Sequence, residues 1–423
     1  MADAAVLLAR AAHRLRWTRT GAAPFAMLCL SIDPLDAVSD ALGPLWCEAL
    51  LGAATSRIAS CLGPDDTVAP LGGGRFAVLL AGAPDAGEAL RSTWRIQVRL
   101  GVPFPMGGHE ILITASVGVA PAGAGYVRAE DLLRDAHAAM GEARGRGRGL
   151  CRVFDASMHA RAVERLRLEA ALRRAVERGE FELHYQPIVC LADGRTAAFE
   201  ALLRWRHPRE GLLLPAAFLA AAETSGLVVP IGRWVLAEAC LQVQAWAERY
   251  PRHGPVAVNV NLSARQLLHP GVVGDVEDAL ALSGLPASRL QLEITEGALM
   301  ESGEAALEVL GRLKALGVRL CVDDFGVGYS SLSYLHRFPV DVLKIDRSFV
   351  AGLGSDGPAG SIVRAIVELA HGLGLQVVSE GVETPSQLEG VRALECGYAQ
   401  GYLFSAAVSA EEADALLATP RLW

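Results

Sequence analysis

Two adjacent carboxylates, Asp323 and Asp324, close an apolar run that starts at Val318, and they head a glycine-punctuated loop, Phe325-Gly326-Val327-Gly328. Neighbouring carboxylates repel when both are ionised, so a hydrogen-bond network or a cation must hold them. An arbitrary Asp-Asp pair is most simply a solvated loop. At the carboxyl end of a strand, ahead of a Gly-x-Gly loop, the pair suits a hard ion such as Mg²⁺. A second apolar run, Val340 to Ile345, carries Lys344, one of two lysines in 423 residues. Glu200, Asn261, Glu293, Glu380 and Gln400 likewise fall in or at the ends of apolar runs. A carboxylate inside a run such as Leu292-Glu293-Ile294 is costly unless paired or metal-bound. One such residue could be a satisfied core acid; four or five converging on one rim are harder to explain that way. Oxygen donors without His or Cys favour Mg²⁺ or Mn²⁺ over Zn²⁺.

The elements that must position these residues alternate regularly from 181 onward. Strands are expected at 181–189, 197–205, 256–262, 290–296, 318–325, 340–347, 375–382 and 398–404. Helical periodicity lies between most of them, as at 231–247, 303–316, 359–373 and 385–394, with a closing helix at 410–418. Such a pattern makes a (β/α)₈ barrel, whose strand ends converge on one mouth. Only Leu191 to Arg195 separates the first two strands, too short for a crossover helix, so these two should be antiparallel.

Ahead of the barrel, residues 1–22 read as a helix with Val6, Leu7, Ala11 and Leu15 at helical spacing. Residues 23–154 read as a mixed α and β domain: a strand at 25–32, a helix at 45–62, a hairpin of 67–71 and 76–80 about Gly72-Gly73-Gly74, a strand at 110–120 and a helix at 129–144. Residues 155–180 form a helical linker with a Glu169/Arg173 pair, and 181–423 the barrel.

The chain's length suits two domains, and its 52% apolar content supports large cores. A net charge of −8 offers no field for a nucleic-acid polymer, so a nucleotide substrate would need metal ions and local arginines. Eight scattered cysteines without a CxxC suit a reduced, cytoplasmic setting. No signal peptide is evident, and the apolar window 211–232 is too broken to span a membrane.

The barrel residues closely resemble the EAL-domain cyclic di-GMP phosphodiesterases. The motifs are Glu200-Ala201-Leu202-Leu203-Arg204-Trp205, Asn261-Leu262-Ser263, Glu293-Ile294-Thr295-Glu296, Asp323-Asp324-Phe325-Gly326, Lys344-Ile345-Asp346, Glu380-Gly381-Val382-Glu383-Thr384 and Gln400-Gly401-Tyr402. The resemblance implies a modified TIM barrel with an antiparallel first strand. It further implies hydrolysis of cyclic di-GMP to linear pGpG with two divalent ions, Mg²⁺ or Mn²⁺. Glu200, Asn261, Glu293, Asp323 and Asp324 would be metal ligands, Asp323 bridging both ions. Lys344 would orient or deprotonate the attacking water, with Glu200, Asp323 and Glu380 completing the catalytic set. Gln186, Arg204, Glu383 and Gln400 would contact substrate. Glu296 would anchor the 325–334 loop, coupling the metal site to a homodimer interface. Val327 stands where the family's loop has threonine. The alternative is a noncatalytic cyclic di-GMP receptor acting through a partner protein; such receptors lose a metal carboxylate or the lysine, and every one of those positions is filled here.

Residues 23–154 resemble the GGDEF (diguanylate cyclase) family, an α+β, nucleotidyl cyclase-like fold. The strand–GG–Phe-x-Val-Leu-Leu hairpin, Thr114 to Ala120, and the helix from Ala129 carry this likeness. Here the signature reads Gly72-Gly73-Gly74-Arg75-Phe76, so both of its acidic residues are absent. Ser31 stands for the first-strand aspartate, with Asp33 retained, and Ser39 for the guanine-contacting asparagine. Gly63-Pro64-Asp65-Asp66 lacks the arginine of the product-inhibition site. Without carboxylates at 31 and 75, two metal ions cannot be clamped on a triphosphate. The expectation is a noncatalytic module for dimerisation or regulation.

Overall fold

The strand Ala26–Asp33 (β1) is apolar at six of its eight positions and buried at all eight, as a strand must be when both faces of its sheet are covered. The computed structural model describes residues 3–18, 24–83, 85–122, 126–251, 254–327, 336–353, 359–418 and 423. The chain divides into two units, Met1–Arg167 and Leu168–Trp423.

In the first unit β1 is the centre of a five-stranded sheet ordered β2-β3-β1-β6-β7. The other strands are β2 (Thr67–Gly72), β3 (Arg75–Leu80), β6 (Thr114–Pro121) and β7 (Cys151–Val153), and a separate ribbon pairs β4 (Phe104–Met106) with β5 (His109–Ile111). Alternation along β1 sends Leu28 and Leu30 to one core and Met27 and Cys29 to the other. Among the described residues, six helices belong here wholly or in part: α1 (Ala4–Thr18), α2 (Leu35–Leu42), α3 (Pro44–Ser60), α4 (Ala86–Leu100), α5 (Ala129–Gly145) and α6 (Ser157–Arg178).

Three expectations change. Of the segment set apart as 1–22, the described helix α1 is integral to the first unit, because its Leu7, Ala11 and Leu15 are buried in the Met27–Cys29 core. The single strand expected at 110–120 is two, since Ile111 pairs with Phe104 in the ribbon whereas Thr114 onward pairs with β1. Helix α4 was not foreseen; it is announced by Asp85, whose side chain caps the helix by accepting from Glu88 N at 2.9 Å. The linker is a helix as expected, and the division between the units falls inside it.

The second unit is a closed eight-stranded barrel. Its strands are β8 (Phe181–Cys190), β9 (Thr196–His207), β11 (Ala257–Asn261), β12 (Leu290–Thr295), β13 (Arg319–Phe325), β14 (Val342–Ile345), β15 (Gln376–Ser379) and β16 (Tyr398–Ala399), and β8 closes it by pairing with both β16 and β9. As the short turn requires, β8 runs antiparallel to both neighbours, while the remaining barrel pairs are parallel. A short strand not foreseen, β10 (Gly211–Leu213), extends β9 as a hairpin. The last strand is two residues rather than the expected seven. Beyond Ala399 the chain leaves the ladder to bond the segment after β15, Leu403 N donating to Val382 O at 3.0 Å. The helix expected at 303–316 begins at Glu296 and kinks at Gly303, so periodicity caught only its second part.

Among the described residues no single helix is long and apolar enough to cross a membrane. A bent pair, Leu219–Ser225 with Val228–Arg249, passes by composition, but its Ile231, Val235, Val243 and Trp246 are buried in the barrel's core. All eight cysteines are free thiols.

Candidate active site

Because barrel strands alternate inward and outward, a polar residue at an inward position near a strand's carboxyl end must face the mouth. Lys344, on β14, is fully buried there. Its Nζ lies 2.5 Å from Glu380 Oε1, 3.1 Å from Glu293 Oε2, and 3.4 Å from both Glu200 Oε2 and Asp323 Oδ1. The side chains that the sequence scattered over 180 residues therefore form one cage around one ammonium.

A ring of amides fixes the carboxylates. Asn261 Nδ2 donates to Glu200 Oε1 at 2.7 Å, and Gln400 Nε2 to Glu200 Oε2 at 2.8 Å. Gln400 Nε2 also reaches Gln186 Oε1 at 2.9 Å, and Gln186 Nε2 donates to the Ser405 carbonyl at 3.0 Å. Asn259, which the sequence reading passed over, donates to Glu293 Oε1 at 2.7 Å. It sits two residues before Asn261 and so faces the same interior, which was the available signal.

Asp324 is one of two described non-glycine residues with positive φ, at 53°. The register of β13 on β14 shifts between Val322 and Phe325, a bulge that re-aims both aspartates at the mouth. Carboxylate oxygens of Asp323, Asp324 and Glu380 lie within 4.8 Å of one another. Asp323 Oδ1 is buried without a hydrogen-bond donor.

Burial pushes the Glu380 carboxyl up to about 7 despite the opposing field of Lys344. Burial also drives Glu293 well up. For Glu200, burial is outweighed by Lys344 together with the Gln400 and Asn261 hydrogen bonds, and the net shift is downward. Asp324 is raised by burial and by Asp323. Burial opposes the charge on Lys344, but Glu200, Glu293, Glu380 and Asp323 together raise its pKa well above the ordinary value. Five carboxylates thus face one ammonium, a donor set of oxygens with negative charge in excess, which fits divalent cations such as Mg²⁺ or Mn²⁺.

Above the cage a cavity of about 260 Å³ is lined by Gln186, Glu200, Asp323, Glu380, Glu383 and Gln400 among the expected residues, and by Leu202, Arg347 and Tyr402, to which the sequence reading gave no role. Asp346 accepts from Ser348 N at 2.9 Å and starts the short helix that carries Arg347 to this wall. Gly401 permits a close approach of the chain after β16 to the segment after β15, since a Cβ there would lie 2.1 Å from the Val382 carbonyl oxygen. Arg204 is not on the cavity wall; its guanidinium donates to the Leu203 carbonyl at 2.8 Å. Glu296 is buried and accepts from Gly326 N at 3.1 Å. Of the expected 325–334 loop, residues 328–334 lie outside the described residues; Val327 is exposed.

In the first unit, Asp33 Oδ2 accepts from Ser116 Oγ at 2.6 Å, and Asp33 Oδ1 pairs with Arg144 at 3.4 Å. Arg75 Nη1 lies 3.3 Å from His137 Nε2. A Cβ on Gly74 would lie 2.5 Å from Leu35 Cδ2, so leucine fills the space that a side chain at 74 would need.

Residues 169–407 match the family model described as EAL domain, and residues 5–149 that described as diguanylate cyclase, GGDEF domain. The chain is 43% identical over 390 residues to the bifunctional diguanylate cyclase/cyclic di-GMP phosphodiesterase MucR of Pseudomonas aeruginosa, covering 92% of this chain and 56% of that protein. It is 40% identical over 380 residues to the cyclic di-GMP phosphodiesterase NbdA of the same species, covering 90% of this chain and 48% of that one. The solved structure of the PaMucR phosphodiesterase in its c-di-GMP complex matches with 46% identity and a TM-score of 0.56, over 58% of this chain and 99% of that chain. The chain spans about half the length of these two curated relatives.

Proposed function

Since the chain belongs to the EAL-domain family and carries a GGDEF domain ahead of the barrel, we propose that it hydrolyses cyclic di-GMP to linear pGpG at the barrel mouth. The observation that carries this reading is the cage of Glu200, Glu293, Asp323 and Glu380 around Lys344, with Asp324 beside it. Two divalent cations would balance the four negative charges left over after Lys344. Glu200, Asn261, Glu293, Asp323 and Asp324 would hold them, Asp323 contributing to both. Bound there, the ions supply charge neutralisation at the phosphodiester and acidify water.

The chain's own residues do the rest. Lys344, 2.5 Å from Glu380 and 3.1 Å from Glu293, would orient or deprotonate the attacking water. Glu380, paired with the Lys344 ammonium at 2.5 Å, would assist the water network beside it. Water adds to phosphorus, the bond from phosphorus to the ribose 3′ oxygen breaks, and that oxygen leaves with a proton. Gln186, Glu383 and Gln400 line the cavity and would position the substrate, with Arg347 as an added phosphate contact. Arg204, turned to the Leu203 carbonyl, would have to change rotamer to join them.

The first domain is read as noncatalytic, supported by Ser31, Arg75 and the leucine-filled space at Gly74. Glu296, bonded to the start of the 325–334 loop, would couple the site to a homodimer contact. Sedimentation finding only monomer, with full activity retained, removes that dimer.

The deciding experiment is incubation with cyclic di-GMP and Mg²⁺ or Mn²⁺, with chromatography of the product. Appearance of pGpG is expected. Binding without turnover would instead leave a cyclic di-GMP receptor.

A further inference from the structure

We propose that the amino-terminal end of the barrel, opposite the carboxylate mouth, is a second ligand site that takes a small organic monoanion with an apolar body. Beneath the cage, Ile188, Ala198, Cys321, Val342 and Val378 form a small apolar cluster of their own, with Ala257 and Tyr398 at its edge. Barrels of this kind normally fill their interior with bulky branched side chains. Ala198 and Ala257 are too small to do so, and a cavity of about 510 Å³ opens where the strands begin. That volume lies within the range of small-molecule sites, roughly 300–1,000 Å³.

The rim of the cavity is polar and positive. Arg289 and Arg319 both line it. Arg319 donates to the neutral Gln376 Oε1 at 2.6 Å, and among the described residues neither guanidinium pairs with a carboxylate. Gln291, on the same wall, is only 6% exposed, and its side-chain amide makes no hydrogen bond among the described residues. The amide opens onto the cavity, where a ligand's polar atoms would reach it. Two guanidinium groups with no carboxylate partner among the described residues select a carboxylate or similar anion, and the alanine-lined interior with the Tyr398 ring selects a flat apolar body. Asn259 lines this cavity and also donates to Glu293, so an occupant would touch the floor of the carboxylate cage. That coupling, unlike the binding itself, rests on the phosphodiesterase reading.

The test is calorimetric titration of the full chain with 2-naphthoate, and with neutral 2-naphthamide for comparison. Heat of binding does not depend on hydrolysis, so loss of the phosphodiesterase reading leaves this test intact. One equivalent should bind with Kd on the order of 0.1 mM, and the amide at least about tenfold more weakly. Arg319→Gln and Arg289→Gln should each weaken naphthoate about tenfold, whereas Arg347→Gln at the opposite mouth should not. Ala198→Leu, which fills the cavity, should abolish binding; should it fail to fold by circular dichroism, the two rim variants carry the test. Absence of saturable heat, equal binding of the amide, or indifference to both rim variants would each overturn the site.

Discussion

The barrel mouth and the β2–β3 turn of the first domain both bring a left-handed backbone to a strand end, yet they carry opposite chemistry. At the mouth the left-handed residue is Asp324, with φ 53°, and four further carboxylates crowd the same space. In the turn the left-handed residues are Gly72, Gly73 and Gly74; Leu35 lies against Gly74, and Arg75 Nε donates to the Gly72 carbonyl at 3.4 Å. A non-glycine residue held left-handed costs roughly 1–2 kcal/mol, which persists only where surrounding contacts over-determine it. The barrel tolerates that strain to aim a charged ligand. The first domain's turn carries no carboxylate, so glycine sits there without strain and leucine fills the space beside Gly74. At this turn the two acids are absent from the sequence, and the Leu35 side chain stands where a side chain at 74 would go.

The most severe way to break this contrast is to neutralise the mouth. Asp323→Asn should lower turnover of cyclic di-GMP by at least about 10²–10³-fold, or ~2.7–4 kcal/mol of transition-state stabilisation. Affinity should fall less, because the other carboxylates and the cavity wall remain. Turnover like that of the unmodified chain would remove Asp323 from the metal set.

The next effect is on stability. Glu380 is raised by burial from an ordinary carboxyl value to about 7, so the folded state holds its proton more tightly than the unfolded state. Its contribution is complete below the unfolded pKa, is lost as pH rises from about 4.5 to about 7, and then levels off. In EDTA this should cost roughly 3 kcal/mol over that window, measured by denaturant titration. Glu380→Gln should flatten the profile. A profile unchanged by that substitution would assign the pH dependence elsewhere.

Restoring the signature tests the other region. Gly74→Asp with Arg75→Glu, in a chain carrying Asp323→Asn to preserve any product, should make no cyclic di-GMP from GTP. The substitution at 74 should also destabilise by about 1–2 kcal/mol, from its positive φ and the Leu35 overlap. Cyclase activity in that variant would show that the Leu35 overlap is no barrier. The smallest effect belongs to Val327→Thr. Val327 is 63% exposed, so restoring the family's hydroxyl should shift stability by less than about 0.5 kcal/mol. A larger shift in melting temperature would give the loop a packing role.

The sequence alone determined the barrel, its antiparallel first strand and the polar residues set at the strand ends, because each depends on local signals. Strand periodicity, a five-residue turn and carboxylates set in apolar runs are all legible within a few positions. It also marked the first domain's signature as stripped of its acids. Tertiary structure decided what depends on distance across the fold. Lys344 meeting four carboxylates from four other segments, Asn259 supporting Glu293, and Arg347 rather than Arg204 reaching the cavity wall could not be read from spacing. The burial of α1 in the first domain's core and the leucine against Gly74 belong to the same class. Side-chain direction and close packing are set by neighbours far away in the chain, and a pKa near 7 at Glu380 exists only once those neighbours have excluded water.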